Sequence, residues 1–535
     1  MSRFARSPEA GLLLLLVAVA WLYAPALGFA FLSYDDPVYV SRNPHLAAGF
    51  TWESIRWAFT EAHAGNWHPL TWLSHMADVT VFGLAPAGHH AVNVALHGVN
   101  TALVFFALRT LTGRAGRSLA VAALFALHPL GIESVAWVAE RKNLLSTSFG
   151  LLAIAAYAGP ARRGPVRLGW VTVWMAASLL AKAMWVTLPF LLLLLDVWPL
   201  RRRESFARRV LEKWPLFALS VAASIVTYVV QAQAGAMEPA AALALGDRLA
   251  YLPLAYVGYL AHALWPLELA VLYPHPLLAE GAAIPWGAVA GAAAGLVAGT
   301  ALAAFAYRRG RPAPAIGWLW FLGMLVPVSG VVQIGWQGLA DRYAYVPLIG
   351  LLLAGVWAVA DALERRAPAD WRAPAALTAA VVVSALLAGA TRAQLGFWRD
   401  SIPLFERAIA VTGPNPVMHN ELGVALGGER RYGPAREQLE IAATLAPRWS
   451  VPPQNLGSLL RARERPEEAL PHLEHSVALA PDQIGARIAL ANALLDLDRR
   501  AEARRHLEHA LALDPEDPRA RLFRARLQQL ERGEP

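Results

Sequence analysis

Residues 11–30 read GLLLLLVAVAWLYAPALGFA, twenty positions without a charged side chain, preceded by Arg3 and Arg6. A bilayer crossing needs about 20 mainly apolar residues. The run is longer than the apolar part of a signal peptide and further runs follow, so it reads as a retained anchor. Across the 535 residues, 56% are hydrophobic and 16% charged. Soluble domains carry about a quarter charged residues, so disorder and an ordinary cytosolic enzyme are both disfavoured. The charge is unevenly spread. Residues 391–535 hold 20 basic and 20 acidic side chains, and the net +8 lies in residues 1–390. The first part reads as membrane and the second as soluble.

Further apolar runs lie near 90–111, 118–132, 143–159, 169–181, 183–199, 214–231, 284–306, 314–333, 345–362 and 373–390. With the first they make eleven crossings. Arginine clusters occupy every second link: Arg114 and Arg117, Arg162 to Arg167, Arg201 to Arg209, Arg308 to Arg311, then Arg365 and Arg366. Positive charge stays on the cytoplasmic side. The N-terminus is therefore expected inside, and the C-terminal part outside. Residues 251–272 are read as two short re-entrant or interface-lying helices broken at Pro253 and Pro266, because a crossing there would put Arg308–Arg311 outside. The outer loops are then 31–89, 133–142, 232–283 and 334–344. In the first of them, Thr51 is placed to cap a helix from Trp52 to Phe59, and His68–Phe82 forms a second. The basic balance follows the membrane links, so no nucleic-acid partner is expected. With no cysteine, disulfides, thiolate metal sites and cysteine nucleophiles are excluded.

The tail repeats every 34 residues. Pro447, Pro481 and Pro515 share that interval, as do Leu422, Leu456 and Leu490, then Ala435, Ala469 and Ala503, then Leu439, Leu473 and Leu507. Gly423 and Gly457 match Ala491. Thirty-four residues is the period of the tetratricopeptide repeat, a helix pair. Units are expected near 416–449, 450–483 and 484–517. A half-unit carrying Phe405 and Ala408 comes before them, and a cap helix near 518–530 after. The expected division is a membrane domain over 1–392 and an α-solenoid over 393–535. Such arrays offer a concave peptide-binding groove or serve as spacers.

Ionisable residues near a bilayer are costly and suggest function. Here they collect on the outer side. Tyr34-Asp35-Asp36-Pro37-Val38-Tyr39-Val40 follows the first span. His128-Pro129-Leu130-Gly131-Ile132-Glu133 and Glu140-Arg141-Lys142-Asn143 flank the second outer link. Lys182 marks the outer turn between the fifth and sixth spans, and Asp341-Arg342-Tyr343 lies before the tenth. Two adjacent carboxylates can bind a cation, serve as general base, or cap a helix. The cations suit an anionic leaving group such as a lipid phosphate, or snorkel to headgroups. His45, His63, His68, His75, His89 and His90 crowd the first loop without a zinc signature.

These motifs, with Lys182 and Thr187-Leu188-Pro189, Leu195-Asp196-Val197-Trp198-Pro199-Leu200 and Ala340-Asp341-Arg342-Tyr343-Ala344-Tyr345-Val346-Pro347, resemble the transmembrane-and-tetratricopeptide-repeat O-mannosyltransferases and their bacterial relatives. The resemblance covers nearly the whole chain. It implies an all-α, polytopic GT-C glycosyltransferase that moves a sugar, mannose or another hexose, from a polyprenyl-phosphate carrier to an outer acceptor such as protein Ser/Thr, with inversion. It makes Asp35 and Asp36 the catalytic acids, with Asp35 as base and Asp36 orienting acceptor or sugar. Glu133 would help hold acceptor or donor. Arg141, Lys142, Lys182 and Arg342 would neutralise the carrier phosphate, supported by Glu140, Asp341 and Tyr343. No cofactor is required on this reading; a divalent cation at Asp35 and Asp36 is the alternative. The alanine- and arginine-rich composition suggests a bacterial inner membrane, undecaprenyl phosphate as carrier, and a periplasmic repeat domain that receives the acceptor. The rival readings are a membrane-anchored scaffold for envelope protein assembly and a transporter of lipid-linked sugar.

Overall fold

The computed structural model describes residues 7–159, 165–235, 243–278, 282–332, 335–515, 524, 525, 528, 529 and 532. The chain divides into two compact units, 1–404 and 405–535. This boundary lies C-terminal to the expected 392/393, because residues 391–401 are tied into the first unit. Thr391 Oγ1 donates to Leu127 O at 2.8 Å, and Gln394 Nε2 donates to Leu267 O at 2.5 Å. The Ala30 N–H donates to Arg399 O at 3.0 Å, and the Ser33 N–H to Ser401 Oγ at 2.8 Å.

The first unit is all-α apart from one short antiparallel pair among the described residues, Tyr273–Pro274 with Gln337–Leu339. Six described helical stretches are long and apolar enough to cross a membrane: Pro8–Gly28, Pro86–Thr112, Trp214–Gln233, Trp286–Arg308, Pro347–Arg366 and Ala369–Trp398. A seventh is Ala115–Ala126 with Pro129–Ala136, bent by 62°. The spans counted from sequence at 169–181, 183–199 and 314–333 fall on shorter apolar helices, Val166–Ala181, Ala183–Val197 and Pro312–Val328. The one counted at 143–159 falls on Arg141–Ala158, whose first turn holds two cations. Apolar composition alone does not register where the helix breaks, and Lys182, in extended backbone at φ −166°, separates two of these pieces.

Residues 251–272 depart from the broken pair. Leu245–Leu264 is one continuous helix that accommodates Pro253. It ends at Trp265, the residue before Pro266, where the ring disfavours helical backbone. The stretch 31–89 follows its sequence closely. Thr51 Oγ1 accepts the Ser54 N–H at 3.1 Å and caps Trp52–Thr60, and Pro69–Phe82 is the second helix. Trp52 is 78% exposed while Trp57 is buried, so this loop keeps an aromatic surface and an aromatic core.

On the helix Leu188–Val197, Asp196 is fully buried with Lys213, whose Nζ lies 2.6 Å from Asp196 Oδ2. Tyr157 OH donates to the other oxygen at 2.5 Å. This carboxylate is therefore internally neutralised.

In the second unit the helices pair as Pro416–Gly428 with Tyr432–Leu445, Val451–Ala462 with Pro466–Leu479, and Ile484–Asp496 with Arg500–Leu513. Their starts at 432, 466 and 500 keep the 34-residue interval. So does the backbone between partners: Arg430, Glu464 and Asp498 all have left-handed φ, at 62°, 58° and 56°. Leu439, Leu473 and Leu507 are buried against Ala469 and Ala503 in a shared core. The close approach within the first two pairs is made at glycine, with Ala491 in the third: a Cβ on Gly423 would lie 2.7 Å from Leu439, and one on Gly457 2.5 Å from Leu473. The expected cap helix near 518–530 lies largely outside the described residues.

Overpacking of this kind costs about 1–3 kcal/mol. Gly457→Val should lower the urea midpoint for loss of the 405–535 unit, followed by limited proteolysis of the full chain. An unchanged midpoint would contradict the packing described.

Candidate active site

The acids and cations of the quoted motifs meet through four chain segments, each held by its own local chemistry. The loop after the first helix turns at Asp35, whose carbonyl accepts the Val38 and Tyr39 N–H groups at 3.0 and 2.9 Å. The link before helix Arg141–Ala158 carries Glu140. The turn at Lys182 is held by Thr71 Oγ1, which donates to Ala181 O at 2.9 Å, and by Ser146 Oγ, which donates to Lys182 O at 2.9 Å. Trp185 packs over Gly150, where a Cβ would come within 2.3 Å of the indole, so that glycine lets the turn approach the helix. The turn Asp341–Ala344 carries Arg342, and Asn143 Nδ2 donates to its carbonyl at 3.0 Å.

Glu140 is the centre of the cluster and is 1% exposed. Lys182 Nζ lies 2.9 Å from it, Lys142 Nζ 3.2 Å and Arg342 Nε 3.5 Å. Burial opposes ionisation of Glu140, but the charges of Lys142, Lys182 and Arg342 outweigh it and hold the carboxyl down to about 2. Aromatic rings line the cations. Lys142 Nζ sits 4.2 Å from the Tyr39 ring centre, Lys182 Nζ 5.6 Å from Tyr343, and the Arg342 guanidinium 5.4 Å from Trp137 and 4.9 Å from Tyr343. Tyr34 stacks on Trp137 at 5.4 Å.

The two aspartates have different environments. Asp36 is fully buried; its Oδ2 accepts the Leu32 N–H at 2.8 Å and its Oδ1 the Ala139 N–H at 2.9 Å. Both oxygens are used to pin the first loop to the link bearing Glu140. Burial pushes this carboxyl up to about 7 against those two hydrogen bonds. The expected role for Asp36, orienting acceptor or sugar, therefore gives way to an anchoring one. Asp35 remains half-buried. Burial raises its carboxyl above the ordinary value, while the charges of Lys142 and Arg342 counter that rise.

Two further assignments change. Glu133 forms an ion pair with the Arg342 guanidinium, and its Oε2 accepts the Arg342 N–H at 2.7 Å. It holds Arg342 rather than a substrate. Arg141 is turned away from the cluster and fully buried. It donates to Asp78 Oδ2 at 2.7 Å, His89 O at 2.8 Å and Ser74 Oγ at 3.0 Å, and its Nε bonds Asn93 Oδ1. Successive helical residues do not face the same way, so Arg141 and Lys142 cannot both point into one site. Asp341 is occupied as well, accepting from Tyr273 OH at 2.8 Å and pairing with His262 Nδ1 at 2.8 Å. Tyr343 is placed beneath two cations, Lys182 and Arg342.

The residues that meet are thus Glu140, Lys142, Lys182 and Arg342, and Asp35 lies within reach of their charges. Tyr34, Tyr39 and Trp137 complete the surroundings and were not singled out by sequence. Tyr34 and Tyr39 lie inside a quoted motif, and Trp137 lies between two others, after Glu133 and before Glu140. Burial lowers the affinity of Lys182 for its proton, with the Glu140 charge acting against that. The arrangement can stabilise negative charge developing beside a carboxylate that retains some solvent access.

A family model described as Tetratricopeptide repeat matches residues 460–527. The chain is 40% identical over 147 residues to the protein O-mannosyl-transferase Tmtc1 of Drosophila melanogaster, covering 26% of this chain and 17% of that relative. Over 191 residues it is 35% identical to Tmtc2 of the same organism, with 33% and 20% covered. Over 179 residues it is 31% identical to tmtc2 of Xenopus laevis, with 31% and 21% covered. The chain therefore spans only about a fifth of the length of these relatives. Over those stretches the chain is similar to the Tmtc protein O-mannosyl-transferases; it carries a tetratricopeptide repeat match and several helices long and apolar enough to cross a membrane.

Proposed function

We propose that this protein is a GT-C-type membrane glycosyltransferase that moves a hexose, mannose or a close analogue, from a polyprenyl-phosphate carrier to a hydroxyl of an extracytoplasmic protein, without a required cofactor at the transfer site. The observation that carries the reading is the convergence of Lys142, Lys182 and Arg342 on Glu140, beside a half-buried Asp35 with a raised proton affinity. A scaffold has no need of buried cations around a carboxylate. Similarity to proteins named O-mannosyl-transferases supports the reaction class.

In this mechanism Asp35 takes the proton of the acceptor hydroxyl as its oxygen attacks the anomeric carbon. The bond from that carbon to the carrier phosphate breaks, and the phosphate leaves with the electron pair. Attack opposite the leaving group inverts the anomeric centre. Lys182 and Arg342, the two partly exposed cations, meet the charge that develops on the phosphate, with Lys142 behind them. Fixed charges of this kind need no rearrangement during the reaction and commonly supply the largest catalytic contribution. Glu140 keeps three like charges within reach of one another, and Glu133 fixes the direction of Arg342. The membrane is a bacterial inner membrane in this reading, with the site and the repeat array on the periplasmic side, and the array receives the acceptor protein.

Purified protein with a polyprenyl-phosphate hexose and an acceptor peptide tests the proposal. Asp35→Asn should lower transfer by about 10²–10⁴-fold, the usual contribution of a positioned base. Lys182→Met should lower it by about 10²–10³-fold, as loss of one charge-stabilising group does. Both should leave the yield of folded protein unchanged, whereas Arg141→Met should reduce that yield. Full activity in Asp35→Asn would remove the base assignment.

The base must be ionised to act, and its carboxyl is raised in the folded protein. Transfer should therefore fall as the pH drops, with a midpoint above that of an ordinary aspartate. A rate profile flat down to pH values typical of free carboxylates would contradict this.

A further inference from the structure

A second cluster lies apart from Glu140 and has no part in the mechanism above. On the helix Pro69–Phe82, His75 and Asp78 are three residues apart, which puts both side chains on one face. His89, near the start of helix Pro86–Thr112, faces them. All three are buried, and one ligating atom from each lies within 4.8 Å of the others.

The protons identify what is missing. His89 Nε2 bonds the Gly83 carbonyl at 3.1 Å. A carbonyl only accepts, so this nitrogen carries the proton and Nδ1 presents a lone pair. That Nδ1 lies 3.3 Å from Asp78 Oδ2 without a hydrogen bond between them. Two electron-rich atoms thus face each other away from water, an arrangement that calls for a cation between them. A second proton on His89 would answer that need, but would leave His75 unexplained. Both ring nitrogens of His75 are buried and have no hydrogen-bond partner. A metal ion takes one ligand atom from each of His75, Asp78 and His89 together.

We propose that His75, Asp78 and His89 form a site for a divalent transition-metal ion, zinc above others. Two imidazoles with a carboxylate suit zinc better than magnesium or calcium, which prefer oxygen ligands. The bond from His89 Nε2 to Gly83 O is the outer contact that fixes the tautomer of a ligating imidazole. The Arg141 contact engages Asp78 Oδ2 at 2.7 Å, the oxygen that also lies 3.3 Å from His89 Nδ1, and that oxygen keeps a second lone pair for the metal. Because Arg141 already neutralises Asp78, the bound ion retains its charge, and a hydroxide in the fourth position would balance part of it. The role is positional: the ion would join helix Pro69–Phe82 to helix Pro86–Thr112 and so set the start of the helix that carries Lys142.

The test uses the full chain in detergent, stripped with chelator, loaded with Zn²⁺ or Co²⁺ and desalted, with metal measured by mass spectrometry. One equivalent per chain is expected, and His75→Ala should weaken binding by at least about 100-fold, beyond the loss that outer contacts alone produce. His45→Ala, outside the cluster, should bind as wild type. The chain contains no cysteine. Cobalt-loaded His75→Cys should therefore gain a thiolate-to-metal absorption band assignable to position 75 alone, which keeps the proposal testable if His75→Ala does not fold. Wild-type protein that retains no metal, equal loading of folded His75→Ala, or a metal-loaded His75→Cys without that band would each overturn it.

Discussion

One buried carboxylate organises the charged site of this protein. Glu140 draws an ammonium from the first turn of the helix that follows it, an ammonium from a turn some forty residues on, and a guanidinium from a turn two hundred residues on. Without it, three cations within a few ångströms would repel one another in a place with little water to screen them. With it, they are held together and directed at one place. A buried charge of this kind is costly unless it is paired and hydrogen-bonded. Here the pairing is achieved.

The second constraint is the pinning of the first loop by Asp36. A carboxylate that accepts two backbone N–H groups from different segments acts as a clasp. It fixes Asp35 by fixing the residue next to it. Adjacent acids in a sequence invite the reading that both act on the same substrate. The backbone makes that difficult, since neighbouring side chains point in different directions, and the more buried member takes the structural task. Arg141 and Lys142 divide the same way. One is locked among Asp78, Asn93 and the His89 carbonyl, and the other faces Glu140.

Much of this was legible in the chain itself. The 34-residue columns of Leu, Ala and Pro named the repeat, because close helix pairing admits only small residues at fixed places. The Thr51 cap and the helix after His68 followed from capping chemistry. What could not be read was the division of labour inside each motif. The sequence presents Glu133, Glu140 and Arg342 in separate motifs, but only the fold decides that Glu133 pairs with Arg342 while Glu140 gathers all three cations. The continuity of Leu245–Leu264 through Pro253 was hidden for a related reason. Whether a proline breaks a helix depends on how its neighbours hold the turn, and the sequence records the ring without that support. The His75–Asp78–His89 cluster gave no familiar spacing, since its third member comes from another helix.

The left-handed joints at Arg430, Glu464 and Asp498 carry a consequence for how this tail can change in length. Each module turns its chain in the same way at the same position, so a copied module would arrive with its own bend already built in. An array of this kind can gain or lose a whole 34-residue copy at a module boundary without new hinge chemistry. Recombination in the gene can thus resize the tail while the charged centre near the bilayer stays untouched.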